Sequence, residues 1–115
     1  MLEITSTDHP EYLQISLRGE ITSASASQLE RTLAELLAKG PPPRWLLDLG
    51  DLLFTSSAGL RVFLTFAKRT KTAGGRLAFC NVRPAVAEVF EVSGFTQILT
   101  IAPDAAAAAV LLGAA

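Results

Sequence analysis

Hydrophobic residues alternate with polar ones over the first two segments of the chain. They are Leu2 and Ile4 in residues 2–7 and Leu13, Ile15 and Leu17 in residues 12–18, and a period of two is typical of half-buried strands. His9 and Pro10 lie between the two segments and favour a turn there. The pattern therefore predicts that the chain opens with a β-hairpin.

The pattern then changes to the period of a helix. Four leucines share one helix face: Leu29, Leu33, Leu36 and Leu37. Gly40 and the three prolines after it end this helix. The helix begins in a run of small and hydroxyl residues over 22–27, where capping boxes are predicted at Ser25 or Ser27.

The remainder of the chain repeats strand and helix. Further strands are predicted over residues 44–49, 76–80 and 97–101, with a short loop over residues 50–54. Further helices are predicted from Ser56 or Ser57 to about Ala73, from Pro84 to Ser93, and from Asp104 to Leu112. The order β-β-α-β-α-β-α-β-α implies an α/β fold with a mostly parallel mixed sheet of about five strands and about four helices. A length of 115 residues fits one domain spanning residues 1–115.

Matching periodicities predict the core. The helix residues expected there are Leu33, Leu37, Leu60, Phe63, Leu64, Val86 and Phe90. The strand residues expected to pack against them are Leu13, Ile15, Leu46, Leu47, Leu77 and Phe79.

Composition narrows the function classes. Half of the residues are hydrophobic and 18% are charged, which favours a folded core over disorder. A net charge of −1 argues against non-specific nucleic-acid binding, so no direct nucleic-acid contact is expected.

No apolar stretch approaches the roughly 20 residues that a membrane-spanning helix needs, and the first residues lack a signal-peptide pattern. A single histidine, His9, and a single cysteine, Cys80, leave no internal disulfide and few metal sites. We therefore expect a cytoplasmic location, no membrane insertion, no metal and no cofactor.

One segment is strongly basic. Five basic and no acidic residues occur from Arg61 to Arg76. This patch is consistent with an acidic partner, and the simpler alternative is a solvated helix face.

The residues most suited to binding or chemistry lie between the predicted third strand and the predicted second helix. In open α/β sheets, sites lie beyond the carboxyl ends of the strands. Thr55, Ser56 and Ser57 lie there, at a helix N-terminus whose free N–H groups and dipole favour an anion. One hydroxyl would suffice as an N-cap, which is the simplest role for any of the three. Gly59 in the first turn costs about 1 kcal/mol of helix propensity relative to Ala, which suggests a close approach to the backbone there.

These residues resemble the signature of STAS domains, the family of anti-sigma factor antagonists and of the cytoplasmic domains of sulfate transporters. Residues 54–61, preceded by Asp48 and Leu49, carry the resemblance. Residues 19–21, 74–77 and 92–95 match further landmarks of the family in order and spacing. The resemblance covers nearly the whole chain and implies a single STAS-like α/β domain.

The resemblance also implies a site. In bacterial antagonists of this type, a serine at the start of the second helix is phosphorylated by a serine-kinase anti-sigma factor, and that serine falls on Ser57. The family commonly has Asp at the positions of Ser56 and Thr22, so Ser56 stays a rival acceptor. The implied partner interface comprises Thr22, Ser23, Thr55, Ser56, Ser57, Ala58, Gly59 and Arg61.

The resemblance favours an anti-sigma factor antagonist in a partner-switching system, not an enzyme. The unmodified protein would bind the serine-kinase anti-sigma factor, and phosphorylation of Ser57 would release it until a serine phosphatase acts. The free protein is expected to be a monomer. An alternative is a STAS subunit of a membrane lipid transporter or other complex that binds without phosphorylation. A third class is a small enzyme using the same loop as an anion site, although a Ser-His-Asp hydrolase would need His9, in a turn, to reach Ser57.

Overall fold

The secondary structure follows the predicted order. A computed structural model describes residues 1–39, 44–95 and 99–113. Its elements are β1 (Leu2–Asp8), β2 (Leu13–Ile21), α1 (Ser23–Ala38), β3 (Arg44–Thr55), α2 (Ser57–Thr72), β4 (Arg76–Cys80), α3 (Pro84–Val92), β5 (Ile101–Ala102) and α4 (Ala105–Leu111). The predicted single α/β fold with a mixed sheet is confirmed.

The five strands form one sheet in the order β1-β2-β3-β4-β5. β1 pairs with β2 antiparallel, which confirms the hairpin, and the other neighbours are parallel. Ile15, Leu47 and Phe79 are register partners across β2, β3 and β4, and all three are fully buried. The centre of the sheet is therefore the centre of the core.

The two faces of the sheet are covered unequally. Buried residues of α1, α2 and α3 pack on one face, where Phe63, Phe79 and Phe90 meet edge to face. Only α4 covers the other face among the described residues, and Leu46 packs there with Ala108. The predicted contact of Leu46 with the first three helices is wrong, because adjacent strand residues point to opposite faces. The other predicted core residues pack in the expected cluster except Leu64, which is half-buried and lies on the side of α2 that carries Ser57; Leu37 and Leu77 pack there but are also only half-buried.

The start of α1 differs from both predicted capping boxes. Thr22 is the N-cap, and its hydroxyl accepts a hydrogen bond from the Ser25 N–H (3.2 Å). The Ser25 hydroxyl in turn accepts one from the Thr22 N–H (2.8 Å). Ser25 therefore occupies the N3 position of the box and not the N-cap position. The helix ends at Ala38, and the predicted stop at residues 40–43 lies outside the described residues.

Two predicted boundaries in the second half of the sheet are corrected. β3 runs to Thr55, so residues 50–54 form strand and not the predicted loop. The extension pairs with β2, and shifts in register give β3 two more residues than the matching part of β2. β5 contains only Ile101 and Ala102, whereas the prediction covered residues 97–101. Leu99 and Thr100 lie outside that strand, and residues 96–98 are outside the described part of the chain.

The last two helices begin as predicted. Pro84 occupies the first turn of α3, and Gly94 follows its end with a φ of 76°, a left-handed conformation that glycine adopts without strain. Asp104 caps α4 by accepting a hydrogen bond from the Ala107 N–H (2.8 Å). Within residues 1–39, 44–95 and 99–113, no helix is both long and apolar enough to cross a membrane.

We predict that Leu47→Ala lowers the free energy of unfolding by about 2–5 kcal/mol, because Leu47 is fully buried at the centre of the sheet and truncation leaves a cavity. Urea denaturation measures the change. Leu111→Ala is the matched control, since the Leu111 side chain is 52% exposed. A loss below about 1 kcal/mol for Leu47→Ala would contradict the assigned core.

Candidate functional site

The site is built where two helices begin side by side. Ile21 ends β2 and Thr55 ends β3, and the two residues are register partners at the carboxyl edge of the sheet. The next residues, Thr22 and Ser56, are the N-caps of α1 and α2. The Ser56 N–H donates to the Ile21 carbonyl (2.8 Å), which ties the start of α2 to the end of β2. The pairing of β2 with β3 therefore places the N-termini of α1 and α2 next to each other at the carboxyl edge of the sheet.

Each of the three consecutive hydroxyl residues has a different environment. Thr55 is 2% exposed, and its hydroxyl donates to the Ser56 carbonyl (3.1 Å). The Ser56 hydroxyl caps α2 by accepting from the Gly59 N–H (3.2 Å). Ser57 is exposed at the first position of the helix, and its hydroxyl has no hydrogen bond within the described residues. Of these three hydroxyls, the Ser57 hydroxyl is therefore the one without a structural hydrogen bond among the described residues.

Gly59 has a packing role. A Cβ atom at this position would lie under 3.0 Å from Thr55 Oγ1 and from Ile21 Cγ2. The close approach that the glycine suggested therefore comes from the chain's own β2 and β3. No ligand is needed to explain Gly59, since any side chain there would push α2 away from the sheet.

The predicted interface residues divide by burial. Thr22, Ser23, Ser57 and Arg61 are exposed, and Ser56 and Ala58 are half-buried beside them. A groove of about 160 Å³ separates the two helices and is lined by Ser23, Ala26, Ser27, Glu30, Ala58, Arg61 and Val62.

Two of the predicted interface residues are corrected. Thr55 and Gly59 are buried and cannot form a contact surface for a partner. Thr55 is buried because its side chain points toward the first turn of α2, where Gly59 packs against it. Both residues act instead by positioning Ser56 and Ser57.

An exposed apolar pair beside the site was missed by the sequence analysis. Leu53 is 53% exposed and Phe54 is 48% exposed, just before the three hydroxyls. A register shift leaves Leu53 without a partner on β2, while Phe54 faces Glu20. An extra residue of this kind changes the direction in which the neighbouring side chains of the strand point. The only signal in the sequence was two large apolar residues in what was predicted to be a loop.

The remaining polar side chains near this edge have structural roles. Asp48 accepts hydrogen bonds from the Gly50 N–H (2.9 Å) and from Asn81 Nδ2 (3.1 Å). Arg83 Nε donates to the Gly50 carbonyl (2.7 Å).

Cys80 is buried, and burial, followed by the charges of Asp48 and Asp104, raises the pKa of its thiol to about 12. The thiol is therefore protonated at neutral pH and unsuited to nucleophilic chemistry.

The described residues provide no candidate centre for a metal ion. Nowhere in residues 1–39, 44–95 and 99–113 do three or more His, Cys, Asp or Glu side chains come together as ligands. What the carboxyl edge does provide is the exposed Ser57 hydroxyl, the N-termini of α1 and α2 and a shallow groove between the two helices. These features suit recognition by another protein better than the binding of a small molecule, which calls for a deeper cleft.

Comparison with known proteins places this geometry in a family. The STAS domain model matches residues 3–108. A Bordetella bronchiseptica protein named "Putative anti-sigma factor antagonist BtrV" is 48% identical over 93 residues, which is 81% of this chain and 79% of that protein. The chain belongs to the STAS domain family.

Solved structures share the fold. The crystal structure of an anti-sigma factor antagonist from Mycobacterium paratuberculosis has a TM-score of 0.89 at 21% identity, covering 98% of this chain and 95% of that chain. The unphosphorylated form of the anti-sigma factor antagonist SpoIIAA has a TM-score of 0.80 at 21% identity, covering 96% and 97%. The phosphorylated form of Bacillus SpoIIAA has a TM-score of 0.68 at 20% identity, covering 89% and 91%.

We predict that Gly59→Ala destabilises the protein by about 1–3 kcal/mol, because the new methyl group overpacks the contact with Thr55 and Ile21. Helix propensity alone predicts the opposite sign, a gain of about 1 kcal/mol. Thermal or urea unfolding decides between the two. Ala58→Gly is the matched control at the neighbouring helical position and should cost no more than about 1 kcal/mol. A Gly59→Ala variant more stable than the parent would show that α2 does not pack this closely.

Proposed function

We propose that this protein is an anti-sigma factor antagonist that works as a phosphorylation-dependent partner switch, with Ser57 as the acceptor. The observation that carries the proposal is the division of roles among the three hydroxyls. Ser56 is used as the cap and Thr55 is buried, so only Ser57 is exposed and free of a structural hydrogen bond among the described residues. The names of BtrV and SpoIIAA, and the two forms of SpoIIAA, support the same function for this chain.

The unmodified protein binds a serine-kinase anti-sigma factor through the carboxyl edge of the sheet. Ser23 of α1 and Arg61 of α2 line the groove between the helices, and Thr22 and Ser57, at the starts of the two helices, are exposed beside it. Binding of the anti-sigma factor here frees its other client, a sigma factor or a comparable regulator. A serine phosphatase that acts on Ser57 returns the protein to the binding state.

Phosphorylation changes the surface and not the fold. A phosphate adds a charge of about −1.5 to −2 at Ser57. The N-terminus of α2 tolerates that charge, because its dipole favours an anion. The cap is unaffected, since Ser56 and not Ser57 supplies it. What changes is the interface, where a partner that fits a neutral hydroxyl would have to desolvate a dianion.

Ser57→Ala is expected to abolish phosphorylation while keeping the fold and the binding of the kinase. Its free energy of unfolding should change by less than about 0.5 kcal/mol, because Ser57 is exposed and does not cap the helix. Ser57→Asp should also fold but bind the kinase more weakly, and a partial loss suffices because Asp carries only one charge. Site-resolved mass spectrometry after incubation with the kinase and ATP, together with a binding titration, measures both effects.

Ser56→Ala is the control for that experiment. It removes the cap and should cost about 0.5–2 kcal/mol of stability, yet Ser57 should still accept phosphate. If phosphate is found on Ser56 and not on Ser57, the acceptor is Ser56 and the proposed assignment of Ser57 is wrong. If neither serine is modified by a kinase proven active on another substrate, the protein is instead a STAS subunit that binds without phosphorylation.

The purified protein is expected to turn over neither p-nitrophenyl esters nor nucleoside triphosphates, because the single histidine of the sequence, His9, is far from Ser57 and cannot act as its general base. His9 lies in the β1–β2 turn, where it is stacked on Tyr12 (4.4 Å between ring centroids) and contacts Gln14 Oε1 (3.0 Å). The nine-residue strand β2 places that turn roughly 25 Å from the site at its other end. Product release measured against a buffer blank tests this. Hydrolysis that disappears in Ser57→Ala would overturn it.

A further inference from the structure

The charges of this protein are unevenly distributed in a way that the proposed switch does not explain. From Leu52 to Ala87 the chain carries six basic residues and no acidic one, although its net charge is −1. These residues are Arg61, Lys68, Arg69, Lys71, Arg76 and Arg83, and all are exposed. Within the described part of the chain, none of the six forms an ion pair. Their charge is therefore available to a partner.

Three of these cations share one face of α2 with the proposed acceptor. Arg61, Lys68 and Lys71 follow Ser57 at i+4, i+11 and i+14, spacings that lie on one side of a helix. We name Arg61, Lys68 and Lys71 the basic stripe. The buried residues of α2, which include Phe63, lie on the opposite side of the helix. The basic stripe therefore faces solvent and begins beside Ser57.

We propose that the basic stripe docks on an acidic surface of the kinase partner, and that a phosphate on Ser57 weakens binding by neutralising this stripe. The inference rests on the proposed function and adds the chemistry of the partner. Complementary charge speeds encounter and fixes orientation, and like charges placed together oppose binding. A phosphate on Ser57 would lie one helical turn from Arg61, close enough to pair with it.

Arg61 is the central residue of this proposal. It is one turn from Ser57, and it also lines the groove between α1 and α2. Glu30 of α1 lines the same groove but does not form an ion pair with Arg61. In the unmodified protein Arg61 is therefore free to contact the partner, whereas a phosphate on Ser57 would offer it an intramolecular anion.

A protein surface fits the basic stripe better than a membrane does. Thr65 and Thr72 lie beside the three cations, and Leu64, at i+7 from Ser57 on the same side of α2, is half-buried, so the stripe itself presents no exposed large apolar side chain to insert into lipid. Two exposed apolar residues, Leu53 and Phe54, lie at the end of β3 just before Ser57 and outside the stripe, and Val92, Val110 and Leu111 lie on α3 and α4. Three cations next to an exposed leucine and an exposed phenylalanine resemble the mixture of basic, aromatic and apolar contacts at protein interfaces, whereas lipid headgroups are bound by clusters of roughly four to eight basic residues.

The experiment is a binding titration with the purified serine-kinase anti-sigma factor of the source organism, at about 50 mM and about 500 mM NaCl. Arg61→Glu and Lys68→Glu should each raise the dissociation constant about 10-fold or more at low salt, and Arg61→Gln should give an intermediate value. The differences should shrink at high salt, where exposed charges are screened. The stripe is exposed, so the melting temperatures should match that of the parent.

Arg31→Glu is the matched control. Arg31 is an exposed arginine of α1, on the side of that helix opposite its buried leucines, so the substitution changes the net charge by the same amount away from the stripe. Its dissociation constant should stay within about twofold of the parent's. An equal loss for Arg31→Glu and Arg61→Glu would show a net-charge effect and overturn a localised docking surface.

The remaining outcomes separate the two proposals. If the parent binds and the stripe variants bind equally well, the basic stripe has no part in docking, and the proposed function still stands. If the parent binds no serine-kinase anti-sigma factor, the proposed function fails, and this inference fails with it. Unchanged kinase binding combined with stripe-dependent binding to phosphatidylglycerol vesicles would assign the stripe to a membrane surface and overturn the inference.

Discussion

The candidate site depends on the close contact between the first turn of α2 and the end of β2. The Ser56 N–H donates to the Ile21 carbonyl at 2.8 Å, and Gly59 leaves no room for a Cβ atom against Ile21 and Thr55. This contact fixes the position of α2 along its axis and its rotation about that axis. It therefore also fixes which hydroxyl caps the helix. Ser57, one residue further on, is then exposed as a consequence of packing that does not involve its own side chain.

This arrangement separates the residues that support the fold from those proposed to bind a partner. The residues that hold α2 in place are buried or used as caps, whereas the residues proposed to meet a partner are exposed on the same turn. A phosphate on Ser57 would therefore change the electrostatic surface without removing a hydrogen bond that supports the fold. The same helix carries the basic stripe, so the proposed acceptor Ser57 and the cations that its phosphate would neutralise lie on one element.

Local patterns predicted most of the fold, and the errors share a cause. Alternation and helical spacing predicted the order of the elements that the described residues form, because those periods are set by backbone geometry. The strand extension over residues 50–54 was missed because its pairing with β2 includes register shifts that no local pattern records. Leu46 was assigned to the wrong face because a continuous apolar run does not show which neighbour covers each side.

The sequence by itself determined the α/β class, the order of its elements and the STAS resemblance that singles out Ser57. It could not divide the roles of Thr55, Ser56 and Ser57, since all three are small hydroxyl residues that can cap a helix. The tertiary structure decided between them, because burial and hydrogen bonding depend on Ile21, which is distant in the sequence and adjacent in space. Only that contact buries Thr55, uses Ser56 as the cap and leaves Ser57 exposed.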